Sequence, residues 1–263
     1  ANLLHHFGSA GDLRRAMARD GVAGGNLVLK IDPLNLNPFR VAVTKIGRSK
    51  FCITCSQSDL RLTTRLLRRR LDCMLLWLSK IREETPTVVL DVSDGRNMDD
   101  AHFTWSSSRL DAGLLPDPYF HASRGFAKMR QLSETNTVEW RGRSDVIRWR
   151  GGANGEGILA FGDNDIQRPE VKQRVRLVLI SNAIPGTDIK LVAHTSKHSQ
   201  DIIVSNCLGA PISETGWLAD KHAIDIDGVT NSWSNFLIRM HLGCCVLKVE
   251  SQSTPYVAPD DRL

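Results

Sequence analysis

The amino-acid sequence predicts an α/β protein whose sheets are mostly parallel. Two observations support this prediction: strand-like and helix-like segments alternate through the second half, and residues 87–92 in the first half form a nearly continuous apolar run. Strands of parallel sheets contain such runs because both of their faces are covered. Hydrophobic residues make up 41% and charged residues 24% of the 263 residues, which excludes a disordered chain. No apolar stretch approaches the ~18 residues of a membrane-spanning helix.

The net charge indicates the kind of partner. A formal charge of +5 favours an anionic partner, such as a phosphorylated ligand, a nucleic acid or a lipid surface. The start of the sequence has neither a signal-peptide pattern nor an initiator Met, and we interpret the sequence as a fragment or a processed form.

Three strands and a long helix are predicted before the apolar run. The strands, residues 26–31, 39–46 and 51–55, are separated by Pro, Asn and Gly. Residues 59–84 place apolar side chains at three- and four-residue spacing, which is typical of a helix. The other face of this helix carries Arg61, Arg65, Arg68, Arg69 and Arg70. A solvated face is the ordinary interpretation, and a surface that contacts anionic lipid is the alternative.

The second half predicts a parallel sheet. We expect a domain boundary near residue 140, which divides the chain into residues 1–140, irregular or strand-rich up to residue 60, and residues 141–263. Helices are predicted at residues 169–182 and from Ser232 to a stop at Gly243. The strands around them are predicted at residues 146–149, 188–193, 222–227 and 245–249. This strand–helix–strand order favours parallel pairing.

Two carboxylates follow the apolar strand of the first half. Asp91 and Asp94 lie at its carboxyl end, followed by Gly95. Ligands of open α/β sheets bind outside the carboxyl ends of the strands. Both aspartates are therefore candidate site residues by position.

A glycine-rich loop follows the first strand of the second half. Its sequence is Trp149-Arg150-Gly151-Gly152-Ala153-Asn154-Gly155. Glycines let a backbone approach phosphate oxygens, and an arginine adds charge-assisted hydrogen bonds. We interpret it as a diphosphate-binding loop, with an ordinary surface loop as the alternative. Residues 155–160 also fit a relaxed dinucleotide fingerprint, which we reject because no helix opens directly after it.

A second candidate anion site follows the strand at residues 222–227. There Asp227 and Gly228 lead into Asn231-Ser232-Trp233-Ser234, where a helix is predicted to begin. Unpaired N–H groups and the helix dipole attract anions at such a position. The Trp233 ring could also stack on a nucleobase.

The sequence contains no strong redox or metal pattern. The C-x-x-C pair Cys52 and Cys55 lacks a second pair at zinc-ribbon spacing, and we expect buried or incidental cysteines. Cys244-Cys245 lies in an apolar run and is expected in the core. The D-x-D strings at residues 163–165 and 225–227 suggest a divalent cation. Hard cations need several converging oxygens, however, and we expect no metal.

In combination, these strings resemble glycosyltransferase family 90, which holds capsule-associated and lipopolysaccharide-modifying glycosyltransferases and protein O-glucosyltransferases. The strings that carry the resemblance, over roughly residues 86–250, are Asp91-Val92-Ser93-Asp94, Leu115-Pro116-Asp117-Pro118-Tyr119-Phe120, Trp149-Arg150-Gly151, Lys221-His222-Ala223-Ile224-Asp225-Ile226-Asp227-Gly228, Asn231-Ser232-Trp233-Ser234 and Leu242-Gly243-Cys244-Cys245-Val246-Leu247-Lys248. They occur in the same order as in that family.

The resemblance implies a GT-B-like fold: two Rossmann-like domains with mostly parallel sheets and a cleft between them. It implies inverting transfer of a sugar, most often glucose or xylose, from a UDP-sugar to a hydroxyl of a glycan, a lipopolysaccharide or a protein, without a metal or other cofactor. By position, Asp94 matches the catalytic base, with Asp91 as the alternative. The donor-binding residues implied by position are Arg150, Gly151, Gly152, Asn154, Asp227, Asn231, Ser232, Trp233, Ser234 and Glu250.

The sequence departs from the family in two respects. Some relatives carry a further arginine shortly after Arg150 and another where Ser234 stands, so that a less cationic diphosphate site is expected here. Relatives also continue through helices beyond the position of Leu263, so that a shortened nucleotide half is expected. A catalytically degenerate relative that binds only a nucleotide or a glycan is therefore a second hypothesis.

Two further partners follow from the charge pattern. Peripheral membrane contact through Arg61, Arg65, Arg68 and Arg69 is an expectation. A nucleic-acid binder that uses the same arginines is a third hypothesis, but no recognised motif supports it, and we expect no nucleic-acid partner.

Overall fold

The computed structural model describes residues 27–47, 50–56, 70, 87–95, 99–109, 111–192, 206–250 and 254–255. These residues form two compact units. The first unit comprises the described residues up to Gly125 together with residues 254–255, and the second comprises residues 126–250. Within the described residues, no helix is long and apolar enough to cross a membrane.

The strands and helices are numbered in chain order. The strands are β1 (Leu27–Asp32), β2 (Arg40–Gly47), β3 (Lys50–Ser56), β4 (Val88–Asp91), β5 (Phe103–Thr104), β6 (Ser106–Ser107), β7 (Gly113–Leu114), β8 (Ser144–Gly151), β9 (Thr187–Leu191), β10 (Asp220–Asp225), β11 (Cys245–Lys248) and β12 (Thr254–Pro255). The α-helices are α1 (Pro118–Ala122), α2 (Ala127–Glu134), α3 (Gln173–Ser181) and α4 (Asn235–His241). Short 3-10 helices span Trp140–Gly142, Asp163–Gln167 and Thr215–Ala219.

The first unit contains a six-stranded mixed sheet in the order β1-β3-β2-β4-β5-β7. The predicted first three strands are confirmed, and the predicted apolar strand is β4, which is buried along its whole length. The expectation of a parallel sheet is wrong on one side of β4, because β4 is antiparallel to β2 and parallel to β5. Strand β2 also runs antiparallel to β3, since the short connection between them permits only that pairing.

The second unit contains a four-stranded sheet, β11-β10-β8-β9, in which all neighbouring strands are parallel. The predicted strands of this half and their parallel pairing are confirmed. Strand β8 comes first in the chain but lies inside the sheet, between β9 and β10. The chain therefore builds the sheet in one direction from β8 to β9, and in the other from β8 to β10 and β11. Such a reversal of strand order is the topological switch point of an open α/β sheet.

Apolar side chains cover both faces of this sheet. On one face, Trp149 and Ile189 of the strands pack with Val175 and Val178 of α3. Neighbouring residues of a strand point to opposite faces. In β10, Ile224 belongs to the first cluster, so that Ala223 lies on the other face, in a second cluster. That cluster also contains Phe126, Met129, Trp217, Leu242 and Cys244. Residues 126–139 therefore belong to the second unit, whereas the sequence suggested a boundary near residue 140.

Both helices of the second unit begin later than predicted. Helix α3 begins at Gln173, not in the turn at Pro169, and α4 begins at Asn235, not at Ser232. The stop of α4 is confirmed, because Gly243 follows the helix with a positive φ of 81°. The helix predicted over residues 59–84 lies outside the described residues, except for Arg70.

The cysteines agree in part with the prediction. Cys52, Cys55, Cys207 and Cys244 are buried, whereas Cys245, expected in the core, is exposed because it lies on the edge strand β11. Burial raises the pKa of the thiols of Cys55 and Cys244 to about 11 each. These two thiols are therefore protonated at neutral pH and poorly suited to redox chemistry.

Candidate functional site

The two predicted anion-binding segments lie side by side at the switch point of the second unit. One is the glycine loop (residues 152–157), which follows β8, and the other is the β10 turn (residues 226–231). A Cβ atom added to Gly155 would lie 2.8 Å from the carbonyl oxygen of Gly228, which shows how closely the two segments approach. At Gly155 the backbone φ of +109° also requires glycine.

A buried arginine, Arg174 of α3, joins the two segments. Its Nη1 donates to the carbonyl oxygen of Gly152 at 3.1 Å. Its Nη2 and Nε donate to the carbonyl oxygens of Ile226 and Asp227 at 2.9 and 2.7 Å. The guanidinium also lies 5.5 Å from the centroid of the Trp149 ring. A single side chain thus holds both predicted loops with charge-assisted hydrogen bonds.

A charged cluster lies beside the β10 turn. Lys248 of β11 donates to the carboxylates of Asp225 at 2.9 Å and Asp227 at 2.7 Å. The Ser232 hydroxyl also donates to Asp225, which is buried. Burial alone would lower the pKa of Lys248, but attraction to Asp225 and hydrogen bonds to both carboxylates raise it. The ammonium therefore stays charged at neutral pH and stabilises both carboxylates.

Trp233 follows this cluster in a strained conformation. Its φ of 56° is in the left-handed region, which is uncommon for a bulky residue. Its N–H donates to the side-chain oxygen of Asn231 at 2.9 Å. Because α4 begins only at Asn235, Ser232 and Trp233 precede the helix and do not form its first turn, and Ser234 is its N-cap. The prediction of a helix start at these residues is therefore wrong, although the residues stay next to the β10 turn.

The guanidinium of Arg150 is hydrogen-bonded to acceptors within the protein. Its Nη2 makes a two-pronged contact with the Asp188 carboxylate at 2.7 and 2.8 Å. Its Nη1 donates to the carbonyl oxygens of Trp149 and Asp188, and its Nε donates to that of Ala210. Each of the three guanidinium nitrogens therefore has an acceptor within the protein. Arg150 joins β8 to β9 and, among the described residues, makes no hydrogen bond to the glycine loop.

The remaining donor-binding candidates differ in exposure. Gly152 is buried and accepts the hydrogen bond from Arg174, whereas Asn154 and Glu250 are exposed. Gly151 ends β8, and a Cβ atom added to it would lie 2.5 Å from the Trp149 ring. The structure therefore brings Gly152, Asn154 and the residues of the β10 turn to one edge of the sheet.

The two aspartates predicted as catalytic lie in the first unit and differ in accessibility. The Asp94 side chain is 45% exposed and forms an ion pair with Arg70, whereas Asp91 is 1% exposed. Asp91 accepts a hydrogen bond from the Ser93 N–H at 2.8 Å. The Arg70 side chain also donates to the carbonyl oxygen of Val92 and is only 18% exposed. The interpretation of Arg70 as part of a solvated face is therefore wrong.

Sequence reasoning missed two cations of the second unit, Arg174 and Lys248. Arg174 had a recognisable signal, because it shares the apolar face of the helix predicted at residues 169–182 with Val171, Val175 and Val178. A charged residue on such a face needs buried acceptors. Lys248 had no such signal, since its neighbours Asp225 and Asp227 come from the end of β10 and from the turn after it.

The described residues contain no group of three or more His, Cys, Asp or Glu side chains that could hold a metal ion. In the first D-x-D string, Asp165 accepts hydrogen bonds from the Gly162 N–H and from Arg168. In the second, Asp225 and Asp227 share Lys248. These carboxylates therefore serve as hydrogen-bond acceptors within the protein.

Neither a protein-family model nor a curated protein matches this sequence. The resemblance to glycosyltransferase family 90 consequently depends on the strings quoted above.

Proposed function

We propose that the chain is an inverting glycosyltransferase that transfers a sugar, glucose or xylose, from a UDP-sugar to a hydroxyl of a glycan, a lipopolysaccharide or a protein. One observation carries the proposal: the glycine loop and the β10 turn adjoin at the switch point of a parallel sheet. Ligands of open α/β sheets bind at this position. The proposal includes the finer fold of the family, two Rossmann-like domains in a GT-B arrangement.

The proposed reaction needs a general base for the acceptor hydroxyl and groups that stabilise the negative charge of the leaving diphosphate. Asp94 takes the proton of the acceptor hydroxyl as that oxygen forms a bond to the anomeric carbon. The bond between this carbon and the UDP oxygen breaks, and UDP leaves with the electron pair. General base catalysis of this kind contributes about 10²- to 10⁴-fold. The exposure of Asp94, against the burial of Asp91, supports Asp94 as the base.

The donor-binding role is proposed for the second unit. Backbone N–H groups of the glycine loop and the β10 turn, together with Asn154 and Ser234, would bind the diphosphate. The half-buried Trp233 would stack on the uracil, and Glu250 would face the ribose. Preorganised donors of this kind stabilise a leaving group as its charge develops. We propose no metal or other cofactor, and expect sugar transfer to be unchanged by a chelator.

Release of UDP from UDP-glucose and UDP-xylose tests the proposal. We expect Asp94→Asn to lower the rate by at least ~100-fold while the protein stays folded. Asp100→Asn is the matched control, because Asp100 is also an exposed aspartate paired with an arginine, Arg40, at 2.6 Å. Full activity of Asp94→Asn would remove Asp94 as the base.

A second candidate is a catalytically degenerate relative that binds a nucleotide or a glycan. The occupied guanidinium of Arg150 favours it, because this arginine would have to leave Asp188 before it could contact a diphosphate. Binding of UDP by calorimetry without release of UDP from either donor would support this candidate over the enzyme.

A further inference from the structure

We propose that Arg174 is the positioning residue of the nucleotide site: its guanidinium holds the glycine loop and the β10 turn at the spacing that UDP requires. This inference rests on the proposed function for its ligand, but the contacts that carry it do not. Arg174 is 8% exposed and donates to carbonyl oxygens of both segments.

Only a guanidinium can make this set of contacts. Its nitrogens lie in one plane and point in fixed directions, so that separate donors reach the carbonyls of Gly152, Ile226 and Asp227. A lysine ammonium is a single point and cannot contact both segments with the same geometry. Gly228 leaves little space beside the guanidinium, because a Cβ atom added there would lie 3.2 Å from Nη2 of Arg174.

The contacts also set the direction of a backbone amide. A trans peptide is planar, and its N–H points opposite to its C=O. Since the Gly152 carbonyl points to Arg174, the N–H of Ala153 points away from it. Among the described residues, that N–H has no hydrogen-bond acceptor. An anion such as the diphosphate of UDP is the ligand class that such a donor suits.

A rigid element carries the guanidinium. Val175 and Val178 of the same helix are fully buried in the core against the sheet. Functional groups that are mounted on a packed helix keep their position better than groups on loops. The position of Arg174 therefore fixes the two segments with respect to the sheet.

Hydrogen–deuterium exchange and UDP calorimetry on the full chain test this inference together. The variants are Arg174→Gln, the conservative Arg174→Lys, and Arg176→Gln as the control on the same helix. Arg176 is a suitable control because its Nε has no hydrogen-bond partner among the described residues. For Arg174→Gln, we expect the hydrogen-bonded amides at the two segments, Gly228 in the β10 turn and Ile158 directly after the glycine loop, to exchange at least ~10-fold faster. We also expect UDP affinity to fall by roughly 10-fold or more. We expect β9 to exchange as in the unaltered protein.

The outcomes separate this inference from the proposed function. Unchanged exchange in either segment overturns the positioning role, whatever the affinity for UDP. Faster exchange with unchanged UDP affinity also overturns it, and leaves the proposed function in place. If the unaltered chain does not bind UDP, the proposed nucleotide site fails, and with it the ligand part of this inference. If Arg174→Gln does not fold, Arg174→Lys decides, because we expect it to speed exchange in at least one segment.

Discussion

Arg150 and Arg174 show how the surroundings of a residue decide its role. Both are arginines near the same glycine loop, and the sequence pattern selected Arg150 because it directly precedes the glycines. In the structure, Arg150 lies within β8, so its side chain points from the face of the sheet toward Asp188 of β9. Arg174 lies on helix α3, and its guanidinium contacts the loop at the carbonyl oxygen of Gly152. Sequence adjacency therefore identified the segment but not the arginine that contacts its carbonyl group.

Arg150→Ala tests the structural role of this residue. The substitution removes the two-pronged contact with Asp188 and leaves three carbonyl oxygens without their donor. We expect the free energy of unfolding to fall by about 2 kcal/mol, as for hydrogen bonds that involve charged groups. Chemical denaturation measures this change, and Arg176→Ala is the control. A loss of UDP affinity without a loss of stability would instead favour direct contact between Arg150 and the diphosphate.

Asp220 predicts a pH dependence of stability. Its carboxylate is buried, and the nearest cation is Arg148, at 3.3 Å. Burial raises the pKa of Asp220, with Arg148 acting in the opposite direction and Asp188 adding to the rise. The folded-state pKa then exceeds the unfolded value of about 3.9. The contribution to stability is thus fully present below the unfolded value, and is lost as the pH rises through the folded value.

Asp220→Asn should therefore stabilise the protein at neutral pH and lose this advantage near pH 4, because asparagine does not ionise. Urea denaturation at both pH values measures the effect. Asp145→Asn is the control with the opposite sign, since a hydrogen bond and attraction from Lys221 lower the pKa of Asp145. A neutral-pH stability of Asp220→Asn below that of the unaltered protein would contradict the prediction.

At the scale of elements, the sequence predicted strands better than helix starts. Apolar runs and alternating patterns mark strands in a sequence, and the strands predicted from them in the second half are present as β8 to β11. Helix starts depend on which N–H groups find acceptors outside the helix. Pro169 and Ser232 are favourable starting residues, yet both are followed by turns, and the helices begin at Gln173 and Asn235. A capping pattern therefore identifies the region in which a helix begins, but not the first residue of the helix.

The contact between the glycine loop and the β10 turn can be tested with matched glycine substitutions. Gly155→Ala adds a Cβ atom 2.8 Å from the Gly228 carbonyl oxygen at a positive φ, whereas Gly186→Ala adds one at a φ of +79° with no atom within 4 Å. Gly186→Ala should cost about 1–2 kcal/mol from the backbone alone. We expect Gly155→Ala to cost more and to lower UDP affinity as well. Equal losses of stability, by chemical denaturation, would show that the two segments separate easily.

At the scale of the whole molecule, local patterns predicted the α/β class but not how distant segments pair. In the order β1-β3-β2-β4-β5-β7, β1 pairs with β3 and β2 pairs with β4, although neither pair is consecutive in the chain, and no alternation pattern specifies such partners. The parallel sheet of the second unit was predictable because helices connect β8 to β9 and β10 to β11. The contact between the β8 and β10 loops follows from that topology. The pattern of α3 places Arg174 on the apolar face, but it does not specify the carbonyl partners of Arg174, which come from distant parts of the chain.

The net charge gives the last prediction, binding to anionic membranes. The formal charge is +5, and Arg61, Arg65, Arg68 and Arg69 are concentrated in a segment that lies outside the described residues. Each arginine near an anionic surface contributes about 1 kcal/mol. Replacing these four by glutamine should therefore lower the partition onto phosphatidylserine-containing vesicles, in low salt, by on the order of a thousandfold. Arg70 is not included, because it is paired with Asp94.

A charge-matched control separates the position of these arginines from the net charge. Four exposed cations of the second unit, Lys128, Arg130, Arg141 and Arg168, can be replaced by glutamine to give the same loss of charge. Co-sedimentation with vesicles measures both variants. If binding depends on the arginine segment, this control retains most of it, and high salt abolishes binding of the unaltered protein because exposed charges are screened. Equal losses in the two variants would mean that the chain is attracted by its total charge and has no membrane-binding face at the arginine segment.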